Sequence, residues 1–120
     1  MQELTDEKVK IAERYSREIK NPKIKLSTLA ESATCVWHQH VVCCEERDRL
    51  IDFLNAKESG SIIHYPISPH LAETYQYLVH KEGFLPVTEH LAKTMLSIPM
   101  YNGMTEEDQT YVINAMNEFE

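Results

Sequence analysis

Residues Ser61–Leu71 read Ser-Ile-Ile-His-Tyr-Pro-Ile-Ser-Pro-His-Leu, and the rest of the chain is organised around this stretch. A short β-branched run ends there in two histidines, a tyrosine and two prolines. Each proline fixes its own φ near about −65° and moves the preceding residue away from helical backbone, so Tyr65 and Ser68 are expected to be extended or in turns. Ser68 before Pro69 predicts an N-cap with proline at the first helical position. The stretch therefore predicts a strand, a stiff loop and the start of a helix.

Toward the N-terminus, the chain alternates between helical and strand periodicity. Thr5–Lys20 is predicted to be a helix, because Ile11, Tyr15 and Ile19 repeat at four-residue spacing on one face. Lys23–Leu29 alternates apolar and polar residues, which predicts a half-buried strand.

The strongest strand signal is Thr34–Cys44, whose side chains suggest burial on both faces. Glu45–Lys57 is predicted to be an amphipathic helix that ends at Ser59-Gly60, and Ile62-Ile63 a brief third strand.

Three further helices are predicted after the opening stretch. The first begins at Pro69 and closes at Gly83, the second runs from Pro86 until Pro99 prevents its continuation, and the last begins at Thr105. Thr105 and Asp108 resemble a capping box. Their apolar faces are predicted to consist of Leu71, Tyr75 and Leu78; of Val87, Leu91, Met95 and Ile98; and of Val112, Met116 and Phe119.

This order of elements predicts an α+β fold, with a small, mostly antiparallel sheet of about three strands covered by helices. The connections are short, so residues 1–120 are expected to form a single domain.

Composition excludes several classes of partner. The 12 basic and 19 acidic side chains give a formal charge of −7, which disfavours nucleic acid and anionic membranes. No apolar run is long enough to span a bilayer, and the acidic N-terminus does not resemble a signal peptide. The odd set Cys35, Cys43 and Cys44 has no framework spacing and is predicted to be buried thiols in a reducing compartment. A cytoplasmic location is therefore expected.

His38, His40 and Cys44 lie on one face of the predicted strand, where they could in principle hold zinc. A structural zinc site normally has a second cluster of ligands, and this strand is flanked by valines. Core or edge histidines are the favoured explanation, and no metal site is expected.

The polar residues of the opening stretch leave two explanations open. His64, Tyr65 and His70 can donate hydrogen bonds to hydroxyls, phosphate or a cofactor ring, and rigid loops between elements commonly carry sites. Alternatively, the prolines simply end a strand and the imidazoles face water. Phosphate cradles, nucleophile elbows and paired-carboxylate motifs are absent from the sequence, so no catalytic residue is expected.

The stretch from Ile63 to Leu71 resembles the His-Tyr-Pro segment of DegT/DnrJ-type sugar aminotransferases, which depend on pyridoxal phosphate. The similarity continues in order along the chain. Its further segments are Arg47-Asp48 with Leu50, Gly83-Phe84-Leu85-Pro86-Val87-Thr88-Glu89, Leu96-Ser97-Ile98-Pro99-Met100-Tyr101 and Met104-Thr105-Glu106-Glu107, and Arg14-Tyr15 matches the end of the family's long interdomain helix.

The resemblance implies the small C-terminal domain of a fold-type I aminotransferase. In the intact enzyme, pyridoxal phosphate transfers an amino group from glutamate to a nucleotide-linked keto sugar, as in polysaccharide biosynthesis, and the enzyme is a homodimer. The Schiff-base lysine and the phosphate-binding loop belong to the family's large domain, and no segment here matches them. The chain alone is therefore expected neither to bind the cofactor nor to transaminate. By resemblance, His64, Tyr65 and His70 form a substrate-binding rim at the active site.

An alternative is a stand-alone binding module for a nucleotide sugar or for a partner aminotransferase. Leu4, Ile11 and Tyr15 resemble a face made to pack on another body, which favours the truncated domain over the module. The sequence does not determine which sugar, or which carbon of it, is aminated.

Overall fold

The computed structural model describes residues 2–120, with the side chain of Gln2 outside the description. The helices are α1 (Gln2–Glu18), α2 (Arg47–Ala56), α3 (Pro86–Thr94) and α4 (Glu106–Glu118), and the strands are β1 (Ile24–Leu26), β2 (His40–Cys44) and β3 (Met95–Ile98). Two short 3-10 helices, Pro69–Leu71 and Glu73–Leu78, precede α3.

The three strands form one antiparallel sheet in the order β1-β2-β3. Ile24 is opposite Cys44 on one side of β2, and His40 is opposite Ile98 on the other. The sheet and the helices packed on it confirm the predicted α+β class.

Burial alternates along β2. His40, Val42 and Cys44 face the core, whereas Val41 and Cys43 are half-buried. The prediction that both faces are buried is thus correct for one face and only partly so for the other. The core combines residues from α1, α2, α4 and the sheet: Ile11, Tyr15, Ile19, Ile24, Val42, Cys44, Leu50, Leu54, Leu96, Ile98, Met104, Val112, Ile113, Ala115, Met116 and Phe119.

Helix α1 confirms the predicted apolar face and begins before Thr5. Ile11 and Tyr15 are buried, and the Tyr15 hydroxyl donates to the Pro99 carbonyl at 2.7 Å. This face therefore packs inside the chain itself, and only Leu4 is exposed, at 56%. The expectation that Ile11 and Tyr15 form a docking face is wrong, because the sheet and α4 already cover them.

Strand β2 is shorter than predicted, because residues 34–39 do not pair. Trp37 lies in the left-handed backbone region with φ 48°, which interrupts extended structure. Its amide donates to the Cys35 sulfur at 3.3 Å instead of to a neighbouring strand. The buried indole stacks on His40 with ring centroids 5.0 Å apart.

The third strand comes from residues 95–98 rather than from Ile62-Ile63. Helix α3 ends at Thr94, whose hydroxyl donates to the His90 carbonyl at 2.9 Å, and the chain then pairs with β2. Ile62 contributes a single bridge to Ser97. Pairing with β2 thus outweighs the helical spacing that predicted one continuous helix as far as Ile98.

The helix predicted from Pro69 to Gly83 is replaced by the two 3-10 helices. Ser68 precedes the first one with extended backbone, as expected, but its side chain makes no capping hydrogen bond. The second ends at Val79 with φ 57°, and none of its residues is buried.

By contrast, the predicted cap of α4 is confirmed, since the Thr105 hydroxyl accepts from the Asp108 amide at 3.1 Å.

Helix α2 ends through Glu58, which takes the left-handed conformation with φ 55°, and not through Gly60. Across residues 2–120, no helix is both long and apolar enough to cross a bilayer.

Candidate functional site

The opening stretch reaches the sheet through a two-residue bridge. The Ile62 amide donates to the Ser97 carbonyl at 3.0 Å, and the Ser97 amide returns a bond to the Ile62 carbonyl at 2.8 Å. This bridge fixes residues 60–64 beside the C-terminal end of β3. A pocket of about 370 Å³ lies at this junction.

The pocket collects residues from three separate parts of the chain. Its lining consists of His38 and Gln39 from the approach to β2, of Gly60, Ser61, Ile62 and His64, and of Ser97, Ile98, Pro99 and Met100. None of these residues carries a full charge when the two histidines are neutral. The site therefore offers neutral hydrogen-bonding groups beside apolar surface.

A side-chain hydrogen bond joins two walls of the pocket. The Gln39 Nε2 atom lies 2.9 Å from the His64 Nε2 atom. An amide nitrogen can only donate, so His64 Nε2 accepts and the neutral ring carries its proton on Nδ1. One Gln39 N–H and the Gln39 oxygen have no part in this bond.

Ser61 supplies a hydroxyl whose oxygen is buried and has no hydrogen-bond partner among residues 2–120. An unsatisfied buried hydroxyl is unfavourable in the free chain.

Tyr65 follows His64 and is 81% exposed. Its φ is 57°, in the left-handed region, so the expectation of an extended or turn conformation enforced by Pro66 is wrong in its backbone angle. The ring is exposed to solvent, so burial does not offset the strain of this backbone conformation.

His70 lies away from the pocket lining and is buried against α3. Its Nε2–H donates to Glu89 Oε1 at 2.8 Å. The Glu89 carboxylate also accepts from the amides of Gly83, at 2.7 Å to Oε2, and of Leu85, at 3.1 Å to Oε1. The hydrogen bond from Gly83 lowers the pKa of Glu89 below its ordinary value of 4.5, and the bonds from His70 and Leu85 lower it further. Burial of the carboxylate acts in the opposite direction but does not cancel this effect. Of the three predicted site residues, His64 lines the pocket, Tyr65 is exposed next to it in the chain, and His70 lies outside the lining.

The residues considered for zinc have different surroundings. His38 is exposed at the pocket, whereas His40 is fully buried between Trp37 and Tyr15, with its ring centroid 5.2 Å from that of Tyr15. Burial lowers the pKa of His40 from 6.5 to about 4. In residues 2–120, no three His, Cys, Asp or Glu side chains are grouped so that they could hold a metal ion.

The three cysteines are free thiols. Cys44 is buried, and burial raises the pKa of its thiol, which makes it a poor nucleophile. Cys35 and Cys43 are half-buried, so the predicted burial is complete only for Cys44.

Sequence reasoning missed Gln39, Ser61 and Ser97 as pocket residues and treated His38 only as a metal ligand or edge residue. These positions are separated along the chain by as many as 59 residues, between His38 and Ser97, and Ser61 and Ser97 lie in stretches that were noted for other residues. The available signal was their position at strand ends, where polar side chains are free to face a site.

Several relatives are similar to this chain over most of its length. The dTDP-3-amino-3,6-dideoxy-alpha-D-galactopyranose transaminase of Aneurinibacillus thermoaerophilus is 34% identical over 109 residues, which is 91% of this chain and 30% of that protein. The pleiotropic regulatory protein of Geobacillus stearothermophilus is 38% identical over 84 residues, 70% of this chain and 23% of its own length.

Solved structures give the same result. S. venezuelae DesV, crystallised in complex with a ketimine intermediate, superposes with a TM-score of 0.93 at 30% identity, covering 98% of this chain and 32% of DesV. An aminotransferase from Brucella abortus gives a TM-score of 0.85 at 31% identity over 95% of this chain and 30% of its own. The chain spans about a third, or less, of the length of these relatives.

The DegT/DnrJ/EryC1/StrS aminotransferase family matches residues 1–117, and this chain belongs to that family. The sequence resemblance is therefore confirmed.

The pocket offers no amine for pyridoxal phosphate, the cofactor of the family. A Schiff-base lysine must face the cofactor in an enclosed site, and no lysine among residues 2–120 lines the pocket. Lys23, Lys57 and Lys93 are instead paired with Glu46, Glu118 and Glu82 at the surface. No step through the cofactor is assigned to this chain.

Proposed function

We propose that residues 1–120 form the C-terminal domain of a nucleotide-sugar aminotransferase and help to close its active site over a nucleotide-linked keto sugar. The observation that carries this proposal is the superposition on DesV, which covers 98% of this chain but 32% of that enzyme. The part of DesV that this chain does not cover is large enough for a cofactor-binding domain. The chain alone is not expected to transaminate.

In this proposal the cofactor and the catalytic lysine belong to a large domain, and residues of this chain position the substrate. Held in that domain, pyridoxal phosphate would supply the chemistry that moves an amino group from the donor, glutamate, to the sugar. His64 and Tyr65 contact the substrate at the active-site rim. His70 borders the same site, and its bond to Glu89 holds its ring in place. None of the three is assigned a proton transfer.

Exposed apolar side chains support a domain that packs on another one. Tyr77, Val79 and Val87 are each more than 70% exposed, and Phe84 is 57% exposed. Soluble proteins seldom leave so many large apolar side chains in water over one short segment unless it meets a partner. We assign this surface to contacts within a cytoplasmic homodimer of the complete enzyme.

A fusion tests the proposal. The C-terminal part of the Aneurinibacillus transaminase that matches this chain is replaced by residues 1–120, and amino transfer from glutamate to that enzyme's own keto-sugar nucleotide is measured. We expect measurable turnover that depends on both parts. The large domain expressed alone serves as the control, and a folded fusion with no more activity than that control contradicts the proposal.

The isolated chain provides a second test. Mixed with pyridoxal phosphate, it should show no stoichiometric Schiff-base absorbance. A band that depends on one lysine and disappears on borohydride reduction would overturn the assignment of the cofactor to another domain. An inactive fusion combined with tight binding of a nucleotide sugar by the isolated chain would favour the alternative, a stand-alone binding module.

A further inference from the structure

The turn before α4 contains the pair Asn102-Gly103, and both members of this pair are hydrogen-bonded to α1. Asn102 is the only asparagine of the sequence that precedes a glycine. We propose that Asn102 is a site of spontaneous deamidation, that its contact with Glu7 slows this reaction, and that the reaction irreversibly releases the N-terminal end of α1.

The reaction joins two groups that are neighbours in the chain. The Gly103 nitrogen attacks the side-chain carbon Cγ of Asn102 and forms a C–N bond. Its proton passes through solvent to the Nδ2 group, which leaves as ammonia. Water then opens the resulting succinimide ring at either of its carbonyl carbons and leaves aspartate or isoaspartate. The net change replaces NH₂ by OH, so water is the only co-reactant.

The surroundings of Gly103 leave this reaction open to solvent. Asn102 and Gly103 are both exposed, and they are the central residues of a turn in which the Met104 amide donates to the Tyr101 carbonyl at 3.3 Å. Gly103 has a φ of 81°, and a Cβ added to it would meet no other group within 4 Å. No side chain of the following residue therefore hinders the attack.

Three hydrogen bonds to α1, here called the Glu7 clasp, restrain both reacting groups. The Gly103 amide donates to Glu7 Oε1 at 2.7 Å. The Asn102 Nδ2 group donates to Glu7 Oε2 at 3.0 Å and to the Leu4 carbonyl at 2.7 Å. The bonds from Asn102 and Gly103 lower the pKa of Glu7 below 4.5, so its carboxylate is ionised at neutral pH. Attack on Cγ requires these charge-assisted bonds to break first, because they fix the orientation of both groups.

The clasp lies where α1 opens most easily. Leu4 is 56% exposed, and the ends of helices open locally at a small cost in free energy. Further along α1, Tyr15 is buried and its hydroxyl donates to the Pro99 carbonyl. Fraying of the first turns therefore frees Asn102 while the rest of α1 stays packed, and deamidation proceeds from that frayed population.

Deamidation prevents the clasp from closing again. The Asn102 amide donates protons to Glu7 and Leu4, whereas a carboxylate in its place has none to donate. Its oxygens would face the Glu7 carboxylate and the Leu4 carbonyl across the 3.0 Å and 2.7 Å that hydrogen bonds now span, and like charges repel at that distance. Isoaspartate also inserts a methylene group into the backbone, which displaces the Gly103 amide from Glu7.

Peptide mass spectrometry during incubation of the 120-residue chain at neutral pH measures the reaction, and fragment ions assign it to individual residues. We expect deamidation at Asn102. Asn114, which is exposed in α4 and followed by Ala115, should remain unmodified.

Glu7→Ala tests the restraint. Removing the carboxylate breaks two of the three bonds of the clasp, so deamidation of Asn102 should become about tenfold faster. Glu13→Ala, at an exposed glutamate of the same helix, is the matched control and should leave the rate unchanged. A comparison that needs no variant is the parent in urea, where the unfolded chain should deamidate at least about tenfold faster than the folded chain.

Asn102→Asp reproduces one of the products and tests the consequence. We expect hydrogen exchange at the amides of Gly103 and Glu7 to be about tenfold faster than in the parent, with exchange at Tyr15 unchanged. Asn114→Asp makes the same change of charge at an exposed position of α4 and should not alter exchange at Gly103.

Three results would overturn the inference. The first is deamidation of Asn102 no faster than that of Asn114. The second is a rate that stays the same or falls when Glu7 is replaced or the chain is unfolded, since the carboxylate would then assist the attack instead of restraining it. The third is an Asn102→Asp chain that exchanges as the parent does. None of these results affects the fusion experiment, because this inference does not depend on the proposed function.

Discussion

His70 and Glu89 form a buried pair that joins the first 3-10 helix to α3, with His70 Nε2 at 2.8 Å from Glu89 Oε1. The same carboxylate accepts the amides of Gly83 and Leu85. Glu89 therefore closes the turn that leads into α3 and anchors it to the stretch that carries His64. One buried carboxylate thus links the stretch that carries His64 to the exposed apolar segment before α3.

Glu89→Gln should loosen this turn. An amide side chain offers one accepting oxygen where the carboxylate has two, so the amides of Gly83 and Leu85 lose charge-assisted bonds. We expect their hydrogen exchange to become about tenfold faster. Glu82→Gln, which affects only the exposed pair with Lys93, is the control. Unchanged exchange at Gly83 would mean that the turn is held by other contacts.

The pH dependence of the turn follows from the lowered pKa of Glu89. A carboxyl whose folded pKa is depressed stabilises the fold above its unfolded pKa, here the ordinary 4.5, and this contribution is lost as pH falls through the folded value. Exchange at Gly83 should therefore accelerate in acid, after correction for intrinsic rates. The acceleration should be absent from Glu89→Gln.

His40 should make the whole fold sensitive to mild acid. Its pKa falls from 6.5 to about 4 because burial disfavours the charged ring, so the unfolded chain binds a proton that the folded chain does not. The free energy of unfolding is therefore highest above pH 6.5 as far as His40 is concerned, and it falls as the pH drops from 6.5 to about 4. The total loss is about 3 kcal/mol, at 1.36 kcal/mol per tenfold change in proton affinity.

His40→Phe tests this assignment, since a phenyl ring can occupy the space between Tyr15 and Trp37 but does not titrate. Denaturant unfolding at pH 7 and pH 5 should show a smaller difference for the variant than for the parent. His38→Phe, at an exposed position, should retain the parent's pH dependence. An equal pH dependence in the parent and in His40→Phe would assign the acid sensitivity to other groups.

The sequence predicted most of the layers but not the pairing of the sheet. Helix α1, strand β1, helix α2 and helix α4 follow from local periodicity and caps, as the Thr105 cap shows. Strand β3 was missed because Val87, Leu91 and Met95 fit a helical repeat, and only the pairing with β2 shows that the helix stops at Thr94. Local spacing contains no information about that distant partner.

The pocket could not be predicted from the sequence for the same reason. His64 was recognised from its rigid loop, but its partner Gln39 lies 25 residues away and joins it only when Ile62 bridges to Ser97. The sequence also gave no indication of the left-handed backbone at Trp37 and Tyr65, because bulky residues normally avoid that conformation. Both residues adopt it where the chain turns near the site.

Tyr65→Gly should stabilise the isolated domain. Glycine takes a φ of 57° without the Cβ clash that tyrosine has there, and the exposed ring gains little from burial. Compared with Tyr65→Ala, which keeps a Cβ, the glycine variant should have a free energy of unfolding higher by roughly 1 kcal/mol. Chemical denaturation of the two variants provides the measurement. A glycine variant no more stable than the alanine variant would show that the backbone is unstrained at this residue.

His64→Ala should leave the isolated chain folded but impair the fused enzyme. His64 is half-buried, and its observed side-chain bond is to Gln39, so its removal leaves the core intact. We expect circular dichroism and thermal unfolding close to those of the parent, and a loss of about tenfold in kcat/KM for the keto-sugar substrate in the fusion. His90→Ala is the matched control, because that histidine is exposed and pairs only with Glu45 at the surface. If His64→Ala and His90→Ala are equally active in the fusion, His64 does not contact the substrate, and the rim must be sought at other residues.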